Sequence, residues 1–300
     1  FSRSRGLGDV YKRQLQEDAF RRDFSINALY YDPNSEEIID YVGGLKDLAA
    51  RRIRFIGEPA VRLAEDPVRI LRAVRFANKL NFTLDEHIVA LTEDTAQRLQ
   101  AIPPARLFDE FLKLFLTGVG ETTWHQIRHT GIARALFPTC NPDSDLVIAA
   151  MRNTDERIKN GLSVTPGFLV AVLLWEDFAA RKLDAASSDD DPAFAALRDQ
   201  QRSIAIPRRF GTFAKETWII QERLIRRNPK TITRLAQHKR FRAAFDFLCL
   251  RAESETELSD CAAWWSAFQE QDDAQQNEMI QGLPRPQRKR RRRAKHRTAE

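Results

Sequence analysis

Cysteine is scarce in this chain, with only Cys140, Cys249 and Cys261 among 300 residues. They are odd in number, far apart and form no CxxC pair, which argues against a disulfide framework or zinc site and for a reducing, cytoplasmic location. Long apolar runs are absent too. The longest, Phe168 to Trp175, has eight residues, whereas a membrane helix needs about 20; it reads as buried core, and no membrane contact is expected. The polar, basic stretch Phe1 to Gln14 has no secretory pattern. His125 and His129 stand four apart without the acid of an HExxH motif, so they read as a solvated helix face and no metal ligand is assigned. No internal repeat is visible.

Acid is missing from one segment altogether. Residues 284–299 contain nine bases, among them Arg288, Lys289, Arg290, Arg291, Arg292 and Arg293, and take the net charge of +6 down to −3 for the rest. Such a block has nothing to bury and repels itself, so it is expected to be disordered. It can neutralise phosphates, which makes these six residues candidates for RNA contact.

The ordered pattern begins at Leu15. Ala19, Phe20, Phe24, Ile26 and Leu29 predict a helix over residues 17–30. Asp32-Pro33-Asn34-Ser35 signals a turn, Glu37 to Val42 a strand closed by Gly43-Gly44, Leu45 to Arg51 a short helix and Ile53 to Ile56 a second strand. Asp66-Pro67 predicts a firm helix start, Asp as cap and Pro at the first helical position. From there helices are predicted nearly to Gln271, after which the sequence turns polar and then basic. A small α/β segment followed by a long helical body does not by itself name a function.

Two clusters carry chemistry. In the first, RRDFSINAL, a helical reading places Asp23 and Asn27 four apart on one face with Arg22 beside it. Guanidinium forks match phosphate oxygens, and an acid and an amide can bond sugar hydroxyls. The second is EDPVRILRAVRF, where Asp66 and Arg69 stand three apart and Arg72 and Arg75 continue the step. A carboxylate and a guanidinium held together can read a base edge: for adenine, the acid accepts from N6 and the guanidinium donates to N1. Taken alone, the first cluster competes with a charged surface helix carrying ion pairs, and the second reads better as an N-capping Asp with a helical salt bridge.

The ordered series RRDFSINAL, DYVGGLKDL and IRFIGEPAVRLAEDPVRILRAVRFA strongly resembles the nucleotidyltransferase class that contains bacterial poly(A) polymerases and CCA-adding enzymes. The resemblance implies that Arg21, Arg22, Asp23 and Asn27 serve the ribose and triphosphate site, with Asp23 counted among the catalytic acids. It implies that Gly43-Gly44 joins a catalytic head to a helical neck, and that Asp66, Arg69 and Arg72, with Arg75 following, template the incoming base. IPPARLF at 102–108, ARALFP at 133–138, RNTDERIKN at 152–160, IAIPRRF at 204–210, HKRFRAAFDFLCLRAE at 238–253 and the arginine tail resemble the poly(A) polymerase branch. The fold expected is mainly α: a C-terminal remnant of a nucleotidyltransferase head (15–57), a helical neck (58–118), a helical RNA-binding body (119–272) and a disordered basic tail (273–300), behind a leader (1–14) that does not resemble the family. The function implied is template-independent addition of AMP from ATP to RNA 3′ ends, marking RNA for decay, with Mg²⁺ as cofactor and RNA-decay proteins among the partners. The Gly-rich strand-turn and DxD pair that the family places ahead of RRDFSINAL do not precede Asp23, so most Mg²⁺ ligands are expected to be missing and the chain inactive as given. A CCA-adding enzyme and a non-catalytic helical RNA-binding protein are the alternatives.

Overall fold

The computed structural model describes residues 13–184 and 190–284. The chain divides into two compact units, Phe1–Lys215 and Glu216–Glu300.

The first unit opens with helix α1 over residues 13–21. Here the expected 17–30 helix fails. After residue 21 the backbone extends, Phe24 forms an antiparallel bridge with Phe55, and the Ser25 and Ile56 amides donate to the Arg54 and Asp23 carbonyls. Phe24 stacks on Phe55 and meets Phe76 edge-on, with ring centroids 5.2 and 5.5 Å apart. Burying that ring wins over helical continuity. A 3₁₀ turn, Ser25–Asn27, leads into β1 (Leu29–Asp32), which pairs antiparallel with β2 (Glu37–Asp40), Leu29 opposite Asp40. Asp23 and Asn27 therefore do not share a helix face.

The Asp40 carboxylate accepts the amides of Val42, Gly43, Gly44 and Leu45 at 2.8–3.1 Å, opening α2 (Gly44–Ala49). Burial pushes Asp40 up, but these donors hold it below the ordinary carboxylate value. Gly43 has φ +80°, and a Cβ on Gly44 would lie 2.3 Å from the Ser25 carbonyl, so each glycine answers a separate need. The second strand is shorter than expected: β3 (Arg52–Ile53) pairs parallel with β4 (Thr83–Leu84).

Helices α3 (Pro59–Glu65) and α4 (Arg69–Leu80) flank Asp66, which is extended and accepts the Val68 amide at 3.2 Å. The Asp66 carboxylate thus caps a turn one step before the helix. α5 (Glu86–Ala90), capped by Asp85, and α6 (Thr92–Leu99) follow, then α7 (Pro104–Phe115), α8 (Gly120–Ile127), α9 (Gly131–Leu136) and α10 (Asp145–Lys159). Asp155 in α10 caps α8 from outside, taking the Gly120 and Glu121 amides at 2.7 and 2.9 Å. α11 (Pro166–Leu173) is the expected apolar core run, buried at Leu169 through Leu173. α12 (Trp175–Asp184) and α13 (Pro192–Gln200) complete the unit, and α14 (Arg208–Arg226) leads out of it.

The second unit contains α15 (Ile232–Ala236), α16 (Phe241–Ala252), α17 (Ser259–Glu270) and α18 (Asp273–Gln281). Phe241, Phe245, Leu248, Trp265 and Phe268 form its core. The polar stretch expected to open the tail at 273 is instead helical. Asp272 and Gln275 form a reciprocal capping box, and Met279, Ile280 and Leu283 pack against the core. Arg288, Lys289, Arg290, Arg291, Arg292 and Arg293 lie outside the described residues, as do residues 1–12 of the leader. No helix among the described residues is long and apolar enough to cross a membrane. His129 pairs with Asp143 at 3.3 Å, and His125 is exposed.

Candidate functional site

Asp23 is where the two sequence clusters meet. Its backbone is fixed by the Ile56 amide, and its carboxylate accepts from Arg69 Nε at 3.1 Å and pairs with Arg72 at 2.7 Å. Arg69 and Arg72 stand three apart on α4, so one carboxylate spans one helical step. Arg69 also donates to Glu65 at 2.8 Å and to the Arg62 carbonyl at 2.6 Å. Arg62 pairs with Glu65 at 2.8 Å, reaches the Arg21 and Arg22 carbonyls, and comes within 4.0 Å of Asp23. Segment 21–23 is thereby tied to the neck through guanidiniums.

Asp47 anchors the segment after Asp23 through Ser25. Its side chain is 1% exposed; it accepts from Ser25 Oγ at 2.6 Å, Arg52 at 2.7 Å and Arg54 at 2.7 Å. Burial alone would push its carboxyl up; the Ser25 and Arg52 hydrogen bonds and the Arg54 charge outweigh it and hold the group below its ordinary value.

The remaining candidates are dispersed around the centre. Arg22 binds Asp18 at 3.0 Å, donates to the Asn27 carbonyl and lies over the Tyr30 ring. Tyr30 and Arg22 together lower the Asp18 carboxyl. Arg21 is exposed. Asp66 does not pair with Arg69; it binds Arg106 at 2.5 Å. Arg75 turns to Glu110 at 3.9 Å, and burial lowers its guanidinium. The side chains of Asp23, Arg69 and Arg72 are thus brought together, whereas among the described residues no side-chain bond joins Asn27, Asp66 or Arg75 to them; Asp66 meets Arg69 through its carbonyl, which accepts the Arg69 amide at 3.1 Å.

Sequence reasoning missed Arg62, Glu65 and Arg106. The first two were visible as a 62-65-69 stripe at helical spacing; Arg106 lies 40 residues from its acid, and no local signal marks it.

Magnesium demands near-octahedral oxygen ligands. Both Asp23 oxygens face guanidiniums, and Asp18 is taken by Arg22 and Tyr30. No group of three or more His, Cys, Asp or Glu able to hold a metal occurs among the described residues. They do not fit a magnesium ion. Arg21, Arg22, Arg62, Arg69 and Arg72 instead outnumber Asp18, Asp23 and Glu65, an excess of positive charge suited to a polyphosphate.

Three family models match in chain order: the poly A polymerase head domain over residues 3–54, the probable RNA and SrmB-binding site of polymerase A over 81–143, and the polymerase A arginine-rich C-terminus over 184–298; the head-domain match takes in most of the 1–14 leader, contrary to the expectation that it lies outside the family. The chain is 41% identical to Poly(A) polymerase I of Salmonella typhi, covering 95% of this chain and 66% of that protein. A CCA-adding enzyme of Streptococcus gordonii matches at 45% identity, but over 35% of this chain and 26% of its own length. Among solved structures, a tRNA-processing enzyme in an apo form superposes with a TM-score of 0.62 at 23% identity, covering 89% of this chain and 75% of that one. This shows a shared fold alone. Poly(A) polymerase I of Haemophilus influenzae is 36% identical across 94% of this chain and 68% of its own length, and on that footing the chain belongs to the poly(A) polymerase family.

Proposed function

We propose that the chain carries the nucleotide-selecting and RNA-holding parts of a poly(A) polymerase, which adds AMP from ATP to RNA 3′ ends without a template. The observation that carries this reading is the Asp23–Arg69–Arg72 cluster, which ties the RRDFSINAL segment to the EDPVRILRAVRF helix. In this reading Arg21 and Arg22 attract the triphosphate, Asp23 sets the orientation of Arg69 and Arg72, and Asp66 presents a carboxylate edge toward the adenine amine once Arg106 yields it. The described residues do not fit the magnesium that this chemistry requires. The chain on its own is therefore expected to bind ATP and RNA without extending the RNA. RNA-decay proteins are the expected protein partners, since adenylated 3′ ends mark RNA for decay.

The test uses the chain alone and a chimera that joins the head domain of the Salmonella typhi relative to it, each given ATP or CTP, Mg²⁺ and a short RNA. Adenylate tails from the chimera, with none from the chain alone, are expected. A fixed three-nucleotide addition to tRNA would move the reading to the CCA-adding branch. Robust tail growth by the chain alone would mean that a metal site has been overlooked.

A further inference from the structure

The second unit holds a cavity of about 510 Å³ lined by Arg223, Arg226, Asn228, Thr231, Arg234 and His238. Arg223 and Arg226 stand three apart on the last turns of α14, so they share a face, and Arg234 approaches from α15. Leu235 completes the lining, and no carboxylate among the described residues contributes to it. Arg226 has a loose pair with Glu222 at 3.4 Å, and Arg227 is drawn off over the Trp264 ring at 5.7 Å. Arg223 and Arg234 have no acidic partner among the described residues.

The neutral groups point the same way. Asn228 Oδ1 accepts the Lys230 amide at 3.1 Å, which leaves its NH₂ as the free end. His238 Nδ1 accepts the Arg240 amide at 3.1 Å, so a neutral imidazole carries its proton on Nε2. Each side chain has an acceptor atom engaged within the loop, and the Asn228 NH₂ and His238 Nε2–H remain as donors. A cavity of guanidiniums, an amide NH₂ and an imidazole N–H calls for a ligand that is anionic and rich in acceptors. Guanidinium forks match phosphate oxygens in geometry as well as charge. The volume falls in the range of about 300–1,000 Å³ typical of small-molecule clefts, larger than one inorganic phosphate needs.

We propose that this cavity clamps backbone phosphates of single-stranded RNA, a contact separate from the nucleotide cluster around Asp23 and one that rests on RNA being the substrate.

The test is fluorescence anisotropy of a labelled oligoadenylate with the full chain across a salt series. It compares the wild type, the Arg223→Gln/Arg234→Gln double variant and a charge-matched Lys46→Gln/Lys79→Gln control. Each lost single-strand phosphate contact should flatten the log–log salt slope by about 0.7, so the cavity variant should lose about 1.4. The control should lose less, and melting should be unchanged in both because all four side chains are exposed. A wild-type slope in the cavity variant, or an equal loss in the control, overturns the clamp. Absence of RNA binding by the wild type would sink the substrate reading itself, a different result from wild-type binding that ignores the cavity. Inorganic phosphate that raises the melting temperature of the wild type but not of the cavity variant, with equal RNA slopes, would assign the cavity to free phosphate and overturn the RNA clamp.

Discussion

Residues 15–57 and the α4 helix are joined by carboxylates, whereas residues 216–284 are joined by rings. In the first region Asp23 and Asp47 collect donors from segments apart in sequence, Asp40 gathers four successive amides of the turn that follows it, and Phe24, Phe55 and Phe76 form a ring cluster. In the second, Phe241, Trp264, Trp265 and Phe268 lie with centroids 5.0–5.5 Å apart. The polar anchors there serve the packing: Trp265 Nε1 donates to the Leu224 carbonyl at 3.0 Å, and buried Gln221 spans to the Ala244 carbonyl and Arg251. Charged lattices hold geometry with direction, which a nucleotide site needs; aromatic packing holds a scaffold with little directional demand. The two regions should therefore fail under different stresses.

The largest effect is expected in the aromatic region. Trp265→Ala removes a fully buried indole and its hydrogen bond and should cost about 3–5 kcal/mol, read as a lowered denaturation midpoint. The loss should be nearly the same at pH 7 and pH 4. A loss that changes strongly with pH would mean that charge, not packing, dominates this region.

Next comes Asp47→Asn. Breaking a fully buried ion pair costs about 3–5 kcal/mol, but Arg52 and Arg54 are 38% and 32% exposed and can turn to water, so about 2–3 kcal/mol is expected. Its carboxyl is depressed in the folded state, so its stabilisation is complete above the unfolded value near 3.9 and fades as pH falls through the folded one. Asp40 acts with the same sign, and Asp155, pushed up by burial, with the opposite one. The wild type should lose stability on acidification below about pH 4, and Asp47→Asn should flatten that loss. An unchanged acid profile would remove Asp47 from the lattice.

The third test separates holding from reading. Asp66 touches Arg106 and one amide, whereas Arg69 braces Asp23, Glu65 and the Arg62 carbonyl. In the chimera, Asp66→Ala should reduce ATP-over-CTP preference by about 1–3 kcal/mol, the worth of a base contact, with little change in melting. Arg69→Ala should lower both. Equal nucleotide preference in wild type and Asp66→Ala would leave Asp66 as a cap and ion-pair partner only.

How much of this was legible in the sequence follows the same division. The helical body, the α11 core run and the candidate residues on α4 could be read because 3.6-residue periodicity and cap chemistry are local. The path of residues 22–28 could not. Phe24, Ile26 and Leu29 satisfy a helical pattern, and only the partner ring of Phe55, 31 positions on, draws the segment into extended form. Asp23 was singled out, but its ties to Arg69 and Arg72 cross 46 and 49 positions. Arg106 was read as part of a branch-marking segment and given no role, because its acid lies 40 residues back. The RNTDERIKN segment marked the branch without a reason; Asp155 supplies one, as the cap of α8.

The smallest effect tests where order ends in the ring-built region. Polar composition after Gln271 predicts loss of structure there, yet α18 spans Asp273–Gln281. Two devices hold it. Asp272 accepts the Gln275 amide at 2.9 Å while the Gln275 side chain accepts from the Asp272 amide at 3.4 Å, and Met279, Ile280 and Leu283 pack on the core. A nine-residue helix is too short to persist in water without tertiary contacts, so the cap orients what the apolar residues dock. Asp272→Ala should cost about 1 kcal/mol, mostly as lost amide-exchange protection within residues 273–281, with the Trp265 region unaffected. A fall in overall stability matching that of Trp265→Ala would make α18 an integral wall of the core. Unchanged exchange at 273–281 would mean that Met279, Ile280 and Leu283 hold the helix unaided, and that ring packing governs this region up to its last described turn.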